Sequence, residues 1–125
     1  MDFNNEIFTY ILKQYMKGKK DSLIFILMYL RNLILDKIIK YNLDSGYVDI
    51  IVNMIVEGID NYSFEKAIPF SKYIDYYLDI RLHIYISDNK NKEDIIYDEY
   101  IKNYINILKS DITGKEIDKT LIKMI

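Results

Sequence analysis

The chain has 125 residues, no cysteine and a formal net charge of -2 at pH 7, with its basic and acidic residues interspersed. Disulfides, thiolate metal sites and a nucleophilic thiol are therefore excluded. The lack of a long basic run argues against nucleic acid as a partner.

The length predicts one domain over residues 1–125, large enough to bury a core without cross-links. Ile occurs 25 times, Lys 15 and Asn 10, against a single Ala and two Arg. Residues with AT-rich codons are inflated, so the 13 tyrosines reflect codon bias as much as a sticky surface. The opening "MDFNNEIFTY" lacks the basic and apolar regions of a secretory signal. Together with the missing cysteines, it predicts a cytoplasmic location, which would be the host cytoplasm for a viral protein.

Helical spacing dominates the chain. Phe3, Ile7, Phe8, Ile11, Leu12 and Tyr15 predict a first helix stopped by Gly18. Asp21 and Ser22 are candidate caps for a second helix, running to about Tyr41 or Asn42. Asp44 and Ser45 are candidate caps for a third that ends near Gly58. Ser63 opens a short piece, and Pro69 starts a fresh helix to about Ile86, since the residue before proline avoids helical geometry. "SDNKNK" is a polar loop. A fifth long helix is predicted from about Glu93 to Lys109, with Ile96, Tyr97, Tyr100, Ile101, Tyr104, Ile105 and Leu108 as its core face, and "TGKE", Thr113 to Glu116, has capping-box spacing for a last short one. The expectation is an all-α compact bundle of five to seven helices.

The segment "SLIFILMYLRNLILDKII", Ser22 to Ile39, is apolar enough to raise the question of a membrane anchor. Its longest unbroken apolar run is Leu23 to Leu30, and a span needs roughly 20 residues. Arg31, Asp36 and Lys37 would each cost about 2.5–3.5 kcal/mol near a bilayer centre. A core helix is predicted instead, with no membrane span. Leu23, Ile24, Leu27, Met28, Leu30, Ile34, Leu35, Ile38 and Ile39 form its wide apolar face; Asn32, Asp36, Lys37 and Lys40 are placed opposite. Phe25, Tyr29 and Leu33 add a stripe that predicts contact with another helix or another molecule.

Both arginines fall on apolar faces, Arg31 among Ile24, Leu27, Ile34, Leu35 and Ile38, and Arg81 among Phe70, Ile74, Tyr77, Leu78 and Tyr85. A guanidinium there pairs internally, for instance with Glu6 or Glu57, snorkels to solvent, or sits at a groove that receives a partner's carboxylate. The candidate partner-binding residues are accordingly Arg81, Arg31, Phe25, Tyr29 and Leu33.

Chemistry has little purchase in the sequence. His83 lies with Lys72, Asp75 and Asp79 on the predicted wet side of its helix, and no serine is spaced to form a triad with it. Asp75 with Asp79, and Asp94 with Asp98, have the spacing of a shared hard-cation site, but also that of a solvated face. No glycine-rich loop cradles a phosphate. No catalytic residue, metal or cofactor is expected.

"IFTYILKQYM", "YVDIIVNMIVEG", "FSKYIDYYLDI" and "EDIIYDEYIKNYINIL" succeed one another in the order and spacing of the first, apolar, central and sixth helices of the small poxviral Bcl-like proteins, and the chain resembles that family. It departs in lacking the Asn-Trp-Gly-Arg signature of cellular relatives, and in carrying its most apolar helix second rather than fifth. The resemblance implies a virus-encoded inhibitor of host apoptosis or innate immune signalling, acting on an amphipathic helix or a signalling protein, with homodimers known in the family. The function expected is a non-enzymatic protein-interaction module, with homodimerisation through the Phe25, Tyr29 and Leu33 stripe as one form of it. The alternatives are a small structural or assembly subunit, an immunity-type protein of a phage, virus or low-GC bacterium, and a metal-dependent enzyme built on the carboxylate pairs.

Overall fold

The computed structural model describes residues 6–65, 68–88 and 99–124, and every regular element among them is helical. The first helix, α1 (Glu6–Met16), buries Phe8 and Leu12 one turn apart, with Ile11 and Tyr15 beside them. It ends at Gly18, whose φ of 106° belongs to the left-handed region. Lys19 N–H bonds Gln14 C=O at 3.1 Å and Gly18 N–H bonds Tyr15 C=O at 3.0 Å, the paired bonds of a Schellman motif.

The predicted second helix is really two. A 3-10 turn (Lys20–Ser22) leads into α2 (Leu23–Tyr29), and α3 (Arg31–Lys40) comes next. Ser22 makes no side-chain cap bond. Between the helices, Leu30 sits at φ -90° and ψ 4°. Its N–H still reaches Ile26 C=O at 3.0 Å, and its C=O accepts Ile34 N–H at 2.9 Å, so the ladder bends without breaking. α3 ends in a second Schellman motif. Asn42 supplies the left-handed residue at φ 53°, and Leu43 N–H returns to Ile38 C=O at 2.9 Å.

Asp44 caps indirectly: its Oδ1 accepts the Gly46 N–H at 2.8 Å and turns the chain into α4 (Tyr47–Asp60). The Ser63 piece is a turn, with Glu65 N–H on Ser63 Oγ at 3.3 Å. α5 (Phe70–Asp88) begins directly after Pro69, whose C=O accepts Tyr73 N–H at 3.0 Å. The final element, α6 (Glu99–Met124), runs through Thr113 and Gly114 without the predicted break. One interior glycine costs roughly 1 kcal/mol, too little to end a helix whose propagation is easier than fresh nucleation.

All six α-helices among the described residues feed one apolar core. α4 contributes Val48, Ile51, Val52, Met54, Ile55 and Ile59; α5 contributes Phe70, Ile74, Leu78 and Leu82; α6 contributes Ile101, Ile105 and Leu108. The α4–α5 crossing depends on Gly58, since a Cβ there would lie 2.8 Å from Ile74 Cδ1 and 3.1 Å from Tyr77 Cδ1. Aromatic rings close the end under α1, with Phe8 at 5.1 Å from Tyr29 and 5.7 Å from Phe70. α6 packs against α2, α3 and α4. No helix among the described residues is long and apolar enough to cross a membrane.

Candidate functional site

Both arginines find partners within the chain. Arg31 Nη2 donates to Asp111 Oδ2 at 2.6 Å, tying α3 to α6, with both side chains more than a third exposed. The partner is neither of the acids suggested by sequence, because α6 returns alongside the bend at Leu30. Arg81 Nη2 lies 3.3 Å from Glu57 Oε2 across the α4–α5 contact. Its Nε is buried without a hydrogen-bond partner among the described residues. Tyr77 Oη shares Glu57 at 3.4 Å, and burial, with the Glu57 charge second, pushes its pKa up.

Lys37 overturns its expected place on the wet side. It is 4 % exposed, the one buried charged residue among those described. Its ammonium reaches across to α5, bonding Asp75 Oδ1 and, at 2.9 Å, Asp79 Oδ1. Asp79 also accepts from Tyr41 Oη at 2.7 Å and from Lys40 Nζ at 3.1 Å. Burial works to raise the Asp79 pKa, but the hydrogen bonds from Lys37, Tyr41 and Lys40 outweigh it and hold it at about 2. The carboxylates spaced four apart thus clamp a lysine. The sequence signal was present: Lys37 shares the three-and-four spacing of Leu30, Ile34 and Tyr41. His83 is exposed. Among the described residues no three acidic or histidine side chains are grouped to hold a metal ion. Asp94 and Asp98 lie outside the described residues, as do Ile96 and Tyr97 of the predicted fifth-helix core face.

The stripe of Phe25, Tyr29 and Leu33 divides. Tyr29 and Leu33 are half-buried against the core, Tyr29 packing near Phe8, whereas Phe25 is 52 % exposed. Met28, expected on the core face, is 54 % exposed, and Tyr100, expected likewise, is 76 % exposed. These three come together. With Asp21, Ile24 and Ile101 they line an open groove of about 360 Å³ between α2 and the first turn of α6. Tyr104, one turn along α6, sets the depth of this contact, its Oη 3.5 Å from Leu27 C=O. Phe25 and Met28, three residues apart, are neighbours on one side of α2, but nothing local to α2 shows that α6 docks beside them. Neither arginine lines the groove.

A second apolar surface runs along α5, where Tyr76, Ile80 and Ile84 are exposed at a spacing of four. No protein-family model matches the sequence, and no curated protein or solved structure matches it.

Proposed function

We propose that the protein is a non-enzymatic interaction module that holds an amphipathic segment of another protein in the groove between α2 and α6. The observation that carries this reading is the gathering of Phe25, Met28 and Tyr100, three large apolar side chains left half or more exposed, around a concave surface. A space of about 360 Å³ accommodates the anchor side chains that one helix projects at three-and-four spacing. Lone exposed apolar residues are ordinary, whereas a concave cluster of them is a feature of contact surfaces. The carboxylate pair that enzyme chemistry would need at Asp75 and Asp79 is committed to Lys37, which further favours binding over catalysis. In the setting of a poxviral Bcl-like protein, the occupant would be a death-promoting helix or an innate immune signalling protein of the host.

A second reading, an assembly subunit, draws support from Tyr76, Ile80 and Ile84, because that convex stripe suits lateral packing better than capture of a single helix. The test compares proteins retained from a lysate by the immobilised chain and by its Phe25→Glu and Met28→Asp variants. The module reading expects a partner held by the parent chain and lost by both groove variants, with Ile80→Glu behaving like the parent. Loss on Ile80→Glu alone, or growth of the free chain into large oligomers, contradicts it.

A further inference from the structure

Among the described residues, the groove's lining carries one charged side chain, Asp21, at its α2 end; the other described lining residues are Ile24, Phe25, Met28, Tyr100 and Ile101. Asp21 is exposed and makes no ion pair among the described residues, although Lys19 and Lys20 precede it in the chain. Those lysines do not line the groove. Their long stems let each ammonium swing to water, whereas the short stem of an aspartate keeps its charge at the wall. Arg31 and Arg81, the cations suited to receive an acidic ligand, are engaged with Asp111 and Glu57 elsewhere.

From this charge arrangement we infer that the occupant is a basic amphipathic helix: an apolar row seated on Phe25, Met28 and Tyr100, with a lysine or arginine set against Asp21. The inference rests on the groove being the contact surface and adds the sign of the ligand. A cation there gains an unneutralised carboxylate beside an apolar wall, and an acidic side chain at the same point meets like charge.

The experiment displays a library of short amphipathic helices with a fixed apolar row and flanking positions varied among Lys, Gln and Glu. It is selected on the full chain and, in parallel, on its Met28→Asp and Asp21→Lys variants, each first shown folded by circular dichroism. The expected result is enrichment of Lys at one flanking position on the parent chain. The Lys peptide should bind roughly 2–5-fold tighter than its Glu counterpart at low salt, as for a partly exposed ion pair. Asp21→Lys should reverse that preference. Enrichment of Glu, equal binding of the two peptides, or an unchanged preference in Asp21→Lys overturns the inference while leaving the groove as the contact surface. Failure of any peptide to distinguish the parent from Met28→Asp removes the groove itself. Self-association of the free chain that Met28→Asp abolishes makes a second copy the occupant, and overturns the inference equally.

Discussion

The Lys37 ammonium is buried, whereas the Asp75 side chain is 53 % exposed and that of Asp79 30 %. Removing the lysine therefore leaves carboxylates that water can reach, but removing the carboxylates strands an ammonium in the core. Asp75→Asn with Asp79→Asn is expected to cost about 3–5 kcal/mol in urea unfolding, and Lys37→Met distinctly less. Equal losses would contradict the asymmetry. The same site has a pH signature. Asp79 falls from its ordinary 3.8 to about 2 in the folded chain, so its contribution is complete above about pH 4 and fades as pH drops toward 2. That contribution is about 2 kcal/mol, and the stability gap between the parent chain and Asp79→Asn should close over this window. Gly58 is the other residue with a sharp requirement. Gly58→Ala adds helix propensity worth roughly 1 kcal/mol, but drives a methyl into Ile74 and Tyr77. A net loss of about 1–2 kcal/mol is expected as the α4–α5 packing gives way.

At the level of elements, the helices were legible wherever the apolar positions recur at three and four, as in Phe8 with Leu12, or Ile51, Ile55 and Ile59. Their stops were legible only in part. Gly18 announced itself, being the residue that tolerates a left-handed backbone, but Asn42 performs the same task with a side chain that also suits loops. Asn42→Ala should destabilise by about 1 kcal/mol, and Asn42→Gly should stay within about 0.5 kcal/mol of the parent in thermal or urea unfolding. The bend at Leu30 was not legible. Its backbone departs from the helix without any proline or glycine, and the side chain is fully buried, so core packing sets the angle. Threonine and glycine at 113–114 misled in the opposite direction, since capping-box spacing arises readily in a chain this rich in polar residues and α6 simply continues. Its docking relies on Ile101, Ile105 and Leu108. Ile105→Ala should cost about 2–4 kcal/mol, whereas Asp111→Ala, which breaks only the exposed pair with Arg31, should cost no more than about 1 kcal/mol.

For the whole molecule, the all-helical architecture was legible in the periodicity, because a helix apolar on most sides must be wrapped by others. The groove was not. Its walls come from residues more than seventy positions apart, and only the docking of α6 beside α2 leaves Phe25, Met28 and Tyr100 facing a common space. Arg31 and Arg81 stand out in the sequence as charges on apolar faces, yet they serve interhelical pairs. Asp21, unremarkable in sequence except as a cap, becomes the charge at the groove wall. In the proposed reading, binding belongs to a surface assembled by tertiary packing, and stability to the interior charges. Hydrogen–deuterium exchange on the free chain and on its complex with a retained partner separates those two roles most directly. Protection gained over Asp21–Met28 and Tyr100–Tyr104, with Lys37 and α5 unchanged, is the predicted footprint. Protection confined to Tyr76–Ile84, or absent from the α2 segment, would contradict it.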